Sequence, residues 1–212
     1  MKSKEKLVIF GAGGHAKVVI DILEQQGDYE VAGLLDDDPK HQGKNFFGYP
    51  VLGTRADLPV LLSAQLGHAI VTIGDNAVRA AVAAHLEQIG WRFASAVHPR
   101  ACIGRGAQIG PGSVVMAGCV VNSDTHLGAH VIVNTGATVD HDCRIGDAVH
   151  IAPGCHLCGG VSVGPGTLLG AGTAVTPGVK IGARVVVGAG STVIRDVADA
   201  AKVSGSPAKL LD

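Results

Sequence analysis

From Ile103 to Val193 every sixth residue of this chain is aliphatic, and few folds accept a period of six. The series is Ile103, Ile109, Val115, Val121, Leu127, Val133, Val139, Ile145, Ile151, Leu157, Val163, Leu169, Val175, Ile181, Val187 and Val193. Four residues after each comes a small or β-branched one, from Ala107, Ser113, Cys119 and Thr125 through to Val197. Pro-Gly and Ala-Gly often fall between them, as at Pro111-Gly112, Pro153-Gly154 and Ala189-Gly190, and such pairs supply corners. A helix is excluded, because its period is 3.6 and it does not tolerate glycine at this density. The pattern predicts short strands joined by corners, coiled and stacked in parallel so that each coil covers the apolar floor of the next. The richness in glycine (31 residues) and the aromatic share of only 3% fit tight corners and small inward side chains.

The chain before the repeats reads differently. Leu7-Val8-Ile9-Phe10 is a short apolar run, followed by Gly11-Ala12-Gly13-Gly14-His15 and an amphipathic stretch to about Gln26, which reads as strand, glycine turn and helix. A second strand, Val31 to Leu35, ends in Asp36-Asp37-Asp38, and a third, Ala69 to Ile73, leads through Gly74-Asp75-Asn76 into a helix from Ala77 to Ile89. Together they predict a small, Rossmann-like parallel α/β sheet over residues 1–98, with its ligand at the strand C-termini, ahead of a β-helix over 99–212. The glycine spacing and Asp36 also suit a nicotinamide dinucleotide, but only half of that two-part fold fits before the repeats begin. A nucleotide-sugar suits it better. Its phosphate would meet backbone N–H groups at Gly13, Gly14 and His15, and Asp36 or Asp37 would accept from base or ribose. A plain glycine turn followed by a solvated acidic loop is the structural alternative.

Charge nearly cancels, with 17 Lys and Arg against 18 Asp and Glu, so nothing asks for nucleic acid or an anionic membrane surface. The opening apolar run is too short for a signal peptide or a membrane span, which predicts a cytoplasmic protein. Five cysteines, an odd number in that setting, predict free thiols.

The hexads resemble the left-handed parallel β-helix of hexapeptide-repeat acyltransferases, and the resemblance implies the handedness and three hexads per coil. The order of parts resembles the sialic acid O-acetyltransferase family, which includes N-acetyltransferases for nucleotide-linked 4-amino sugars of the bacillosamine and perosamine type. Gly11-Ala12-Gly13-Gly14-His15, Leu35-Asp36-Asp37, Ile73-Gly74-Asp75-Asn76 and His98-Pro99 carry the N-terminal part of it. Asn134-Thr135 through Val139-Asp140-His141-Asp142-Cys143 resembles the catalytic segment. The resemblance implies acetyl-CoA as co-substrate and no metal. It implies His141 as general base helped by Asp142, His150 against the acetyl group or pantetheine, and Asn134 near the sugar. It also implies a homotrimer with active sites between subunits.

The residues add their own argument. Most corners carry Pro-Gly or Ala-Gly, whereas the hexad at Val139 carries three polar residues that point out, and imidazole is the usual base near neutral pH. With three hexads per coil, Ser123, His141, Gly159 and Pro177 stack along one edge. Gly159 would then leave room for a thioester and offer its N–H to the developing oxyanion. Arg195, Lys202 and Lys209 lie where coenzyme A phosphates would fall. Cys143 sits at an inward position and reads as core rather than nucleophile. His126, His130, His150 and His156 raise a zinc site of the γ-carbonic-anhydrase kind, but their spacing does not match that ligand set. O-acetylation of a sialic-acid-like sugar is the nearest rival activity, and a non-catalytic binding β-helix is the rival from another class.

Overall fold

The computed structural model describes residues 4–63 and 66–211. Its N-terminal part is a sheet of β1 (Glu5–Phe10), β2 (Tyr29–Leu35), β3 (Asn45–Phe46), β4 (Tyr49–Gly53), β5 (His68–Val71) and β6 (Arg92–Phe93), in the order β3-β4-β2-β1-β5-β6. All pairings are parallel except the β3–β4 hairpin. Helix α1 (Gly14–Gln26) buries Ala16, Val19, Ile20, Ile22 and Leu23, a stripe with helical spacing. Gly27 ends it in the left-handed conformation, donating its N–H to the Leu23 carbonyl. Helices α2 (Leu58–Ser63) and α3 (Asn76–Gln88) cover the other face of the sheet, with Leu58, Val82, Ala83 and Leu86 against Val8, Phe10 and Val71. The Asp75 side chain caps α3 by accepting from the Val78 N–H at 2.9 Å.

The C-terminal part is a left-handed parallel β-helix. Val114 pairs with Ile132, Ile132 with His150 and His150 with Leu168, an offset of one coil of three hexads. Each coil visits three faces in turn. The first face carries Val114–Val115, Ile132–Val133, His150–Ile151 and Leu168–Leu169; the second Val120–Val121, Thr138–Val139 and His156–Leu157; the third His126–Leu127, Arg144–Ile145 and Ser162–Val163. The aliphatic ladder points inward, with Val115, Val121, Val133, Val139, Ile151 and Leu169 fully buried. Each such side chain contributes roughly 1.5–3 kcal/mol by leaving water.

The second inward position is small for a reason beyond space. Thr125 Oγ1 donates to the Asp140 carbonyl at 2.6 Å, Thr167 Oγ1 to Gly182 at 2.7 Å and Ser113 Oγ to Gly128 at 2.9 Å, so these interior hydroxyls tie coil to coil, while those of Thr173 and Ser191 donate within their own coil to Gly170 and Gly188. Cys143 Sγ makes the same kind of contact to the Cys158 carbonyl at 3.3 Å, and burial pushes its thiol pKa up. It is a core residue. Cys155 and Cys158 do have a two-residue spacing, yet both thiols are free, and Cys155 is fully buried in the ladder.

The two parts share one core. Outward residues of the first face, Val114 and Ile132, are buried in a single cluster with α1. From α3, Asn76 Nδ2 donates to the Gly166 and Thr167 carbonyls and Arg79 to those of His130 and Ala148. The N-terminal part is thereby seated on the first face and on the corner leading into it. No helix among the described residues is long and apolar enough to cross a membrane.

Candidate active site

His141 stands at the corner between the second and third faces. The Asp142 N–H donates to the Ser123 carbonyl, Gly160 to His141 and Gly178 to Gly159, which stacks Ser123, His141, Gly159 and Pro177 on successive coils. The fourth position of a hexad requires positive φ, and Asp142 meets it at 59°. Its carboxylate accepts from His141 Nδ1 at 2.7 Å, leaving Nε2 without a partner among the described residues. On the other side Asp140 Oδ1 accepts from the His141 N–H at 2.9 Å and from Asn122 Nδ2 at 2.8 Å. The bond to Asp142, then the charge of Asp140, hold the His141 imidazole above its ordinary pKa. Both side chains are open to solvent, 61% and 65% exposed.

Gly159 lies against this imidazole. A Cβ there would fall 2.6 Å from Cε1 and 2.7 Å from Nε2, so only glycine lets the ring lie where it does. The Gly159 N–H has no partner among the described residues. Arg195 continues the same edge in the last coil. It lines a cavity of about 490 Å³ with Ile194, Val197, Pro207, Lys209 and Leu210, walled by the C-terminal hairpin. From His141 to Arg195 is three coils, about 14 Å at strand spacing. Lys202 pairs in the first face and does not line this cavity.

The other candidates gather on the opposite side of the prism. Helix α1 has no side-chain cap, and the N–H groups of Gly13, Gly14 and His15 have no partner among the described residues. A Cβ on Gly13 or Gly14 would meet nothing within 4 Å, so these glycines leave open space rather than permit packing. Gly11 is different: its φ of 108° and the approach to Thr72 need a residue without a side chain. Asp36 is already engaged, accepting from the Ala12 N–H at 2.5 Å and from the Asp38 N–H at 2.7 Å, and so ties the glycine turn to the end of β2. Asp37 holds Arg55 through Nε at 2.7 Å and the backbone N–H at 3.0 Å. Burial alone would raise the Asp37 carboxyl, but these bonds outweigh it and hold it below its usual value.

His15 and His150 meet between α1 and the first face. Burial, then its neighbours His150 and Arg79, push His15 down to about 4, and burial with Arg79 does the same to His150. Asn134 Nδ2 lies 3.2 Å from His150 Nε2, and His15 Nε2 is buried without a partner. No group of three or more His, Cys, Asp or Glu among the described residues is arranged to hold a metal.

Reasoning from sequence missed Asn76 and Arg79, the docking pair. It also missed the loop that carries β3, β4 and Arg55, whose short strands lack a periodic signal. One signal was available for the docking face: of the residues before the ladder aliphatics of every third hexad, Val114, Ile132, Leu168 and Val186 are apolar and His150 alone breaks the series, whereas Gln108, His126 and Arg144 on the third face are polar.

Residues 6–86 match the PglD N-terminal domain family, and 142–177 and 160–195 match the bacterial transferase hexapeptide (six repeats) family. The UDP-N-acetylbacillosamine N-acetyltransferase of Bacillus subtilis is 37% identical over 118 residues, 53% of this chain, and the match spans about half of that protein (52%). The perosamine N-acetyltransferase of Caulobacter crescentus, solved with CoA and GDP-perosamine as a histidine-to-asparagine variant, is 42% identical. It superposes with a TM-score of 0.93 over 100% of this chain and 98% of its own. The acetyltransferase domain of PglB from Neisseria gonorrhoeae with acetyl coenzyme A is 38% identical, with a TM-score of 0.91 over 99% and 100%. With the fold, the domain order and 42% identity over its whole length in agreement, this chain belongs to the hexapeptide-repeat sugar N-acetyltransferases that carry a PglD-type N-terminal domain.

Proposed function

We propose that this protein transfers the acetyl group of acetyl-CoA to the amino group of a nucleotide-linked 4-amino sugar, GDP- or UDP-linked, with His141 as general base. The observation that carries the reading is the tautomer at His141. The Asp142 carboxylate accepts a hydrogen bond from Nδ1–H, so Nε2 is free to take a proton from the attacking amine at a site floored by Gly159. The amine nitrogen bonds to the thioester carbon, the Gly159 N–H receives the oxyanion, and the C–S bond breaks. The proton held on Nε2 passes to the leaving thiolate, so no acyl-enzyme is needed. Asp142 favours the imidazolium that forms in between.

Pantetheine would lie along the edge from Gly159 and place the coenzyme A phosphates by Arg195 and Lys209. On the other side residues 1–98 would hold the nucleotide, its diphosphate on the free N–H groups of Gly13, Gly14 and His15. Asp36 then acts by shaping that turn and Asp37 through Arg55, while Asn134 faces the sugar and His150, 3.2 Å from its Nδ2, meets the acetyl group or pantetheine arriving there. The two halves of this site lie on opposite sides of one β-helix, because the corner of His141 is opposite the face that carries the N-terminal part. One chain cannot bring them together. A second copy can, and a homotrimer closes the arrangement with three equal sites.

The test mixes the protein with acetyl-CoA and UDP-, GDP- or dTDP-linked 4-amino sugars beside free sialic acid, following thiol release. Release with one nucleotide amino sugar, abolished in His141→Asn, is expected. Release only with the free hydroxyl sugar would replace the reading with O-acetylation, and silence across the panel would leave a binding module.

A further inference from the structure

Arg79 is buried at 1% exposure, and among the described residues no carboxylate is within ion-pair distance of it, Asp75 acting on it only from farther off. Its guanidinium spends its donors on neutral oxygens: Nε on the His130 carbonyl at 2.9 Å, Nη1 on Ile73 and Gly74 at 3.0 and 3.1 Å, Nη2 on Asn76 Oδ1 and the Ala148 carbonyl, both at 2.8 Å. Burying a cation with no carboxylate in contact is costly even when its hydrogen bonds are met. The apolar packing of α1 already seats the N-terminal part, so docking alone does not call for a charge there.

The network continues into the site. Asn134 Oδ1 accepts from the Thr135 N–H at 2.8 Å, which fixes Nδ2 as the group facing His150 Nε2 at 3.2 Å. His150 Nε2 is therefore the acceptor, and Nδ1 carries the ring proton. The ring lies by the carbonyl of Gly74, one of the two carbonyls that Arg79 Nη1 holds. We propose that Arg79 is a positioning residue for the sugar side of the transfer site: by clamping the Ile73–Gly74 turn to the corners at His130 and Ala148, it keeps the Gly74 carbonyl where the Nδ1–H of His150 meets it, so that Nε2 stays free to accept from Asn134. Its charge acts in the same sense, since it opposes protonation of both His150 and His15, and a protonated His150 would lose its bond from Asn134.

The role at the sugar rests on the proposed function, whereas the tautomer does not. The test takes the full chain as wild type, Arg79→Lys and Arg79→Gln, with thermal melting, steady-state kinetics and 15N-histidine NMR at pH 7, the His150 signals assigned through His150→Asn. In the wild type the His150 signals are expected to show Nδ1 protonated and Nε2 bare; an Nε2–H form overturns the proposal even if neither variant folds. In folded Arg79→Lys the expectation is a mixture of tautomers and a loss of about tenfold in kcat/KM for the nucleotide sugar, the scale of one misplaced hydrogen bond. The KM for acetyl-CoA should stay within about twofold in that variant, since none of the residues placed along the coenzyme's edge, Gly159, Arg195 and Lys209, is among those that Arg79 bonds. A lower melting temperature with tautomer and kcat/KM unchanged would make Arg79 a structural clamp only and overturn the proposal. A wild type inert toward every nucleotide amino sugar, with the tautomer still lost in Arg79→Lys, would sink the functional reading while upholding the coupling.

Discussion

Gly159→Ala separates activity from stability at a single atom. The added Cβ would lie 2.6 Å from His141 Cε1 and 2.7 Å from Nε2. Ordinary carbon contacts are about 3.5–4.0 Å, so the imidazole must retreat by about 1 Å. The ring is 61% exposed and can retreat into solvent, and Gly159 does not occupy the left-handed region, so folding should suffer by less than about 1 kcal/mol. Chemistry is less forgiving. A 1 Å misplacement of a catalytic group costs roughly 10²-fold, and the methyl also occupies the floor where the thioester must enter. The assay is thiol release under saturating acetyl-CoA and nucleotide amino sugar, run beside a thermal melt. Gly172→Ala is the control: its φ is 70° with open space around it, so it should lose roughly 1–2 kcal/mol of stability and keep its kcat. If Gly159→Ala retains kcat within about threefold, the placement of His141 over Gly159 is not what carries the reaction.

Asp142→Asn removes the largest influence raising the His141 pKa, so the acid limb of kcat/KM should move to lower pH while the plateau falls, because the Nδ1–H tautomer is no longer enforced; an unmoved limb would separate Asp142 from the base. His15 and His150 are held down to about 4 when folded against 6.5 when free, so their contribution to stability is complete above pH 6.5 and is lost as pH falls from 6.5 toward 4. Melting temperature should drop across that window, and less so in His150→Asn. His141→Asn and Asn134→Ala, each inactive alone, should recover up to about one quarter of the wild-type rate after dissociation and joint reassembly, since in the proposed trimer a site takes one group from each of two subunits. No recovery from mixed trimers would mean that one chain supplies both. Leu169→Ala, inside the ladder, should cost about 2–5 kcal/mol by chemical denaturation.

The β-helix was legible because its rule is strictly local. Two inward positions in every six must be apolar or small, and each coil repeats the demand, so a single sequence displays it many times over. The corner of His141 could be read for the same reason, as a departure from a repeated default, and the register then placed Gly159 beside it. The N-terminal strands at Leu7 and Val31 and the helices after Gly13 and Asp75 were marked by glycine turns, apolar runs and periodicity. What could not be read were contacts that no period announces. Arg79 sits in α3 like any helical arginine, and only the tertiary fold turns it inward to carbonyls on residues 130 and 148. Asp36 shows the converse: the residue was found, but its oxygens face the turn's own N–H groups, a detail of loop geometry invisible in spacing.

The corner of His141 also shows what the fold leaves free for chemistry. Positions one and five of a hexad are bound by the core, and the fourth by a left-handed backbone that glycine meets at no cost, as it does at Gly106, Gly160 and Gly178 along this same edge. An aspartate at that position accepts strain on the order of 1 kcal/mol that glycine would avoid. Asp142 is therefore not there for the coil. Its carboxylate can reach the Nδ1 of the preceding residue because both belong to one tight corner, which would supply the proposed base and its orienting acid from adjacent residues without disturbing the interior. Asp124, one coil earlier and in the same conformation, follows Ser123 rather than a histidine and has no imidazole to orient. The pair at 141–142 thus needs both the corner and the histidine, and replacing either residue removes the tautomer on which the proposed transfer depends.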